Sequence, residues 1–323
     1  MNKKKLIATC ACVAAVAVAL VGCGPNEIPE ETMTDKLIKN FWQSDTMYDE
    51  TVILVAPMDD DGNITALPQG KLLFEADEIL SVKQYFHADN AGEKEFTQGT
   101  DYTYSNGVIT AVGTIEEDLD GKKVSVNTTV PYITERQYLG KDVFPGFATT
   151  TTGIPSNDGA WEIPYTEGYQ IVQLQLSVTY KHSDRWTKDA PAFQGEKLSN
   201  VLTKLQNKEH TEILVFGDSI STGSNSSSVL KIHPNLPAWY DLMEAGLEKA
   251  YGADIQLTNK SMGGWTSTNA ISENPSPGWV GGQQISQVGL PALLKDELKD
   301  YSPDLAIIGF GMNDATLGVG LNN

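Results

Sequence analysis

Cysteine is nearly missing from this chain, with three in 323 residues, at Cys10, Cys12 and Cys23. All three lie in the first 23 positions, so the rest of the chain has neither a disulfide framework nor a Cys-rich zinc site. Histidine is scarce as well, with only His87, His182, His210 and His233. There is no His-Glu-x-x-His pair and no His or Cys cluster, which leaves metallohydrolase chemistry without support, and no metal or cofactor is expected. Cationic residues are outnumbered 23 to 42, for a formal net charge of −19. Such a surface repels nucleic acid and anionic headgroups and favours neutral or cationic partners. The single long apolar run, Leu6 to Val21, is too short for a comfortable membrane span. Internal repeats and long low-complexity tracts are absent.

What is there begins with a basic start, Met1-Asn2-Lys3-Lys4-Lys5, ahead of that alanine- and valine-rich run. This is the layout of a secretory signal over residues 1–22. Its end, Leu20-Val21-Gly22-Cys23, resembles the lipobox of bacterial lipoproteins. That resemblance implies acylation of Cys23 and an exported chain anchored by lipid on the extracytoplasmic face. Cleavage there removes three of the 23 basic residues and no acids, leaving 20 against 42 and a net of −22. A lipid would then hold the protein with little electrostatic help.

Residues 23–45 are rich in proline, acids and threonine without a sustained period, and read as a tether or a disordered amino terminus. Residues 46–190 carry short apolar runs bounded by turn signals, such as Thr51 to Ala56, Ile79 to Phe86 and Gly107 to Val112. From Tyr169 to Tyr180, Val172, Leu174, Leu176, Val178 and Tyr180 share one face, opposite Ile171, Gln173, Gln175, Ser177 and Thr179. That alternation predicts a half-buried antiparallel strand, and several such strands predict a β-sandwich of jelly-roll type. The Asp59-Asp60-Asp61-Gly62-Asn63 run reads as a hairpin turn, since the twelfth position of a calcium loop falls on Gly70. Trp161, Tyr165 and Tyr169 read as core aromatics rather than a sugar platform.

Pro191 to Gly195 reads as a linker, and the pattern changes over residues 197–323. Continuously apolar strands at Ile213 to Phe216, Ile255 to Leu257 and Leu305 to Phe310 alternate with helical patterns at Lys197 to Asn207, Pro237 to Tyr251 and Leu290 to Leu298. Strands buried on both faces between amphipathic helices predict an α/β fold, a flavodoxin-like doubly wound parallel sheet.

Each strand leads into a polar turn: Gly217-Asp218-Ser219-Ile220-Ser221, Asn259-Lys260-Ser261-Met262-Gly263-Gly264 and Gly311-Met312-Asn313-Asp314. Parallel strands bring those turns to one sheet edge, where open α/β folds bind ligands. A serine there is a candidate nucleophile, needing a base for its proton and donors for an oxyanion. The Ser219 N–H, the Gly264 N–H and the Asn313 amide are suitable donors. Asp218 reads as a structural turn residue. Trp265, and Trp279 within the stretch Asn274 to Gly282, are candidates to flank a pocket. Gly-x-Ser-x-Gly is absent around Ser219, which argues against an α/β-hydrolase.

These three blocks resemble the SGNH or GDSL-type hydrolases. The resemblance implies an ester hydrolase with Ser219 as nucleophile and the N–H groups of Ser219 and Gly264 with the Asn313 side chain as oxyanion hole. The β-rich part is similar to accessory domains that precede this module in some secreted carbohydrate esterases, implying an acylated carbohydrate as substrate. The family's closing Asp-x-x-His block has no counterpart: no histidine follows Asn313, and three strands are counted where the family has five. His233 reads as a surface-loop residue, and His210 falls at the sheet edge opposite Ser219. The general base is thus missing, and the expectation is an inactive fragment of an esterase whose Leu305 to Phe310 strand is an uncovered edge. The alternative is a non-catalytic glycan-binding lipoprotein.

Overall fold

The computed structural model describes residues 32–86, 92–139, 142, 153–155, 162–164, 171–280, 283–285 and 289–319. The signal segment, Cys23, His87, Trp161, Tyr165 and Tyr169 lie outside the described residues.

The amino-terminal half is β-rich. One antiparallel sheet runs β1 (Thr46–Ile53), β13 (Gln175–Lys181), β4 (Glu78–Tyr85) and β5 (Glu93–Glu95) in spatial order. A second runs β10 (Ile133–Thr134), β2 (Val55–Ala56), β3 (Gln69–Lys71), β7 (Val108–Ala111) and β6 (Tyr102–Ser105). Only its β10 to β2 pairing is parallel. Two further two-stranded hairpins are β8–β9 (Gly113–Glu117, Lys123–Thr128) and β11–β12 (Gly153–Pro155, Glu162–Pro164). The inward faces meet in one core, Val52, Val82, Leu176, Val178 and Tyr180 from the first sheet against Tyr102, Ile109 and Ala111 from the second. In β13 burial alternates as the sequence requires, with Leu176, Val178 and Tyr180 inside and Ser177 and Thr179 half-exposed. The strand begins later than expected because Val172–Leu174 closes a 3₁₀ turn. The acidic run forms a turn, with Asp59 accepting the Asn63 N–H on its side chain at 2.7 Å.

Residues 33–43, inside the stretch read as a tether, carry local structure. Met33–Leu37 form α1, closed by a reciprocal capping box between Thr32 and Asp35. Phe41 packs against the β-core and lies edge-on to Trp186 at 5.2 Å. Asp35 pairs with Lys249 at 2.6 Å. A helix of one turn shows no period, so a search for periodicity misses it.

The carboxyl-terminal half holds a parallel sheet of β15 (Ile255–Asn259), β14 (Thr211–Gly217) and β18 (Leu305–Gly309), with β14 central. Ile213 to Phe216 are all at most 1 % exposed, which explains the unbroken apolar run. Successive residues alternate faces. Ile213, Ile255, Leu257 and Ile307 pack on one face against Val201 and Leu205 of α3 (Ser199–Gln206) and Met243 and Leu247 of α4 (Trp239–Tyr251). Phe216 packs on the other with Met262, Trp265, Ala270 of α5 (Ser267–Ile271) and Leu294 of α6 (Leu294–Tyr301). Helices on both faces make the sheet doubly wound. A further hairpin, β16 (Gly278–Val280) with β17 (Gln283–Ile285), lies between α5 and α6, and α2 (Glu135–Tyr138) and α7 (Met312–Thr316) complete the helices introduced here.

Candidate active site

The nucleophile turn is held from both sides by neighbouring strands. At the end of β14 the Asp218 N–H donates to the Gly309 carbonyl at 3.1 Å, and the Met262 N–H donates to the Gly217 carbonyl at 2.9 Å. Asp218 is buried, and its carboxylate accepts the Ile220 N–H at 3.0 Å, the structural role its place beside Ser219 suggested. Ser219 is half-buried. The Thr222 N–H reaches the Asp218 carbonyl at 3.0 Å and the Thr222 hydroxyl reaches the Ser219 carbonyl at 2.8 Å. The chain makes only a single turn here, because Gly223 (φ +74°) and Asn225 (φ 62°) adopt left-handed conformations. The chain then loops to α4, whose Trp239 indole N–H returns to the Ile220 carbonyl at 3.0 Å.

The second turn lies against the first. A Cβ on Gly263 would stand 3.7 Å from the Ser219 Cβ and only 3.1 Å from the Trp279 carbonyl oxygen, so the close approach depends on glycine. Gly264 follows at φ +80°, exposed, in the conformation that glycine accommodates. Asn259 ties the turns together, donating its side-chain N–H to the Ser221 carbonyl at 2.8 Å and accepting the Ser261 N–H at 2.9 Å.

The third turn completes the arrangement. Asn313 donates its amide N–H to the Trp265 carbonyl at 2.8 Å, one residue beyond Gly264, which leaves a second amide N–H on the same nitrogen. Asp314 accepts the Ser267 N–H at 3.0 Å and also the Ser267 hydroxyl, placing a carboxylate at the start of α5. Asn259 and Asp314 sat inside the sequence blocks, but their roles depend on partners 38 and 47 positions away. No local signal marks such partners.

The two tryptophans part company. Trp265 is 1 % exposed, with its indole N–H on the Ser276 carbonyl at 2.9 Å, and is a core residue. Trp279 exchanges backbone hydrogen bonds with Gly263 at 2.8 and 3.1 Å and is half-exposed, so it borders the second turn.

The described histidines serve elsewhere. His210 sits at the amino end of β14 between Asp254 at 2.7 Å and Glu212 at 2.9 Å. Hydrogen bonds to Glu212 and then Asp254 push its imidazole above the usual range. His182 is buried in the β-half, stacked on Phe74. His233 is not a free surface-loop residue. Its Nε2 lies 2.9 Å from Asp49 Oδ2 and its ring stacks on Tyr85 at 3.8 Å between centroids, joining the two halves of the chain. Among the described residues no histidine hydrogen-bonds Ser219, and no group of three or more His, Cys, Asp or Glu is placed to hold a metal.

Residues 213–322 match the model of the GDSL-like lipase/acylhydrolase family. Over this segment the chain is similar to the GDSL-type hydrolases. The match begins within β14 and includes all three turns, so the GDSL module is by resemblance an ester hydrolase, with an acyl ester as substrate. No curated protein and no solved structure matches the chain. A parallel sheet with helices on both faces fits an α/β domain of this type.

Proposed function

We propose that the GDSL module removes short acyl groups, acetyl foremost, from a carbohydrate through an acyl-enzyme on Ser219. The observation that carries this reading is the Asn313 to Trp265 hydrogen bond, which holds the third turn against the second beside Ser219. Ser219 Oγ attacks the ester carbonyl carbon and gives up its proton to a base, while the carbonyl oxygen becomes an oxyanion. The N–H groups of Ser219 and Gly264 and the free Asn313 amide N–H are assigned to that oxyanion. Collapse breaks the bond to the alcohol, which leaves with a proton, and water then releases the acid from Ser219. None of His182, His210 and His233 is assigned as the base. Release of p-nitrophenol from p-nitrophenyl acetate, measured on a chain that carries the general base, tests the reading: a Ser219→Ala variant of that chain with an undiminished rate rejects Ser219.

A second reading, a non-catalytic glycan-binding protein, draws support from His233 being engaged with Asp49 rather than with Ser219. Retention of glycan binding with no turnover in either chain would favour it.

The sequence context supports export and acylation at Cys23. Metabolic labelling with a tagged fatty acid, lost in Cys23→Ser, is the expected result, and equal labelling of both chains rejects the anchor.

A further inference from the structure

Beside the nucleophile turn lies a cavity of about 350 Å³ to which the three sequence blocks assign no role. Small-molecule sites occupy roughly 300–1,000 Å³, so it has room for one compact ring. One wall is Thr222, whose hydroxyl is bonded to the Ser219 carbonyl at 2.8 Å, so the cavity adjoins the proposed nucleophile. Another carries Lys260 and Glu297. Glu297 is 5 % exposed on α6, and one of its oxygens accepts the Ala292 N–H at 2.7 Å. Its other oxygen stands 3.8 Å from Lys260 Nζ, beyond hydrogen-bond length. A carboxylate oxygen and an ammonium are therefore set side by side at one wall as a loose ion pair, the ammonium also lying 5.1 Å from the centroid of the Tyr301 ring. Met262, Leu290 and Pro291 supply apolar surface to the same cavity.

We infer that this cavity binds a pyranoside ring, the alcohol side of the ester, by its vicinal hydroxyls. One hydroxyl donates to Glu297 Oε2 while its neighbour accepts from Lys260 Nζ, so the 3.8 Å gap is bridged by a diol. The ring's C–H face lies on the apolar residues. A neutral ligand suits a wall whose charges cancel, whereas a carboxylate or phosphate would meet Glu297. A purely acyl occupant would shield this ion pair from water while offering it no hydrogen bond, at a desolvation cost. The link from this cavity to hydrolysis rests on the esterase reading above; binding itself does not.

The test is titration of the full chain with methyl β-D-glucopyranoside, followed by ligand-observed NMR and calorimetry, with cyclohexanol as the apolar ring of similar shape. Expected is a Kd on the order of 1 mM for the pyranoside, weakened at least about tenfold in both Lys260→Met and Glu297→Gln, with cyclohexanol weaker than the pyranoside. Glu297→Gln keeps an acceptor for the Ala292 N–H, and Lys260→Met keeps the apolar stem and probes the same wall from a less buried position. The inference is overturned if the pyranoside does not bind, if it binds both variants as it binds the unaltered chain, or if cyclohexanol binds equally well. Hydrolysis is scored separately on p-nitrophenyl acetate with Ser219→Ala. A chain that binds the pyranoside without turnover keeps this inference and loses the esterase reading, and turnover without pyranoside binding does the reverse.

Discussion

Asn313 and Trp265 are joined by one hydrogen bond of 2.8 Å from the Asn313 amide to the Trp265 carbonyl, spanning 48 positions of sequence. That bond fixes the amide against the glycine turn and leaves its remaining N–H as a preorganised donor. Truncation to Asn313→Ala is expected to lower kcat on p-nitrophenyl acetate by about 10²–10³-fold, the usual cost of one oxyanion donor, with KM little changed. A fall in KM-limited rate alone, with kcat intact, would place Asn313 in substrate binding instead.

Asp49 sits between the two halves of the chain. Burial pushes its carboxyl upward, but hydrogen bonds from His233 and from Ser177 outweigh that and hold it below the ordinary value of 3.8. A carboxyl lowered on folding contributes stability that is complete above its unfolded value and is lost as pH falls through the folded one. Acid unfolding is therefore expected to steepen below about pH 4. In Asp49→Asn that part of the pH dependence should flatten; denaturant midpoints recorded from pH 6 to pH 2 for both chains measure it. Parallel curves would show that Asp49 does not couple to folding.

Ser261 is 4 % exposed, and its hydroxyl has no hydrogen-bond partner among the described residues. An unpaired buried hydroxyl is destabilising, by about 1–3 kcal/mol where nothing compensates it. Ser261→Ala removes the hydroxyl at almost constant shape and should raise the thermal midpoint. A midpoint lowered by several degrees would mean that the hydroxyl finds a partner in solution.

Among the described residues β18 pairs only with β14, and Ile308 on it is 52 % exposed. An apolar strand with one unpaired edge is a template for association. Ile308→Lys should reduce self-association in sedimentation velocity with little effect on the unfolding midpoint, because the side chain is already half in water. Identical sedimentation of the two chains would clear this edge.

Periodicity and turn chemistry made much of this visible in advance. The unbroken run Ile213 to Phe216, bounded by turn residues, read as a strand covered on both faces, and the alternation from Leu176 to Tyr180 as a strand covered on one. Those patterns report burial, which is a property of each residue type and its spacing. The nucleophile candidate followed from the same logic, since the first polar turn after a buried parallel strand must lie at its carboxyl edge. Less visible were α1, too short to show a period, and the Asp49 to His233 contact, which joins positions 184 apart.

The sequence by itself determined the two kinds of layer, the three turns and their meeting at one edge, because strand direction and hydrophobic period are local. Only the tertiary structure decided which groups within reach of that edge are already engaged. It put Trp265 into the core, took His233 to Asp49, brought the Asp314 carboxylate to the start of α5 and placed Lys260 beside Glu297. Each of these depends on a distance between residues far apart in the chain, set by how the helices and turns pack around the sheet.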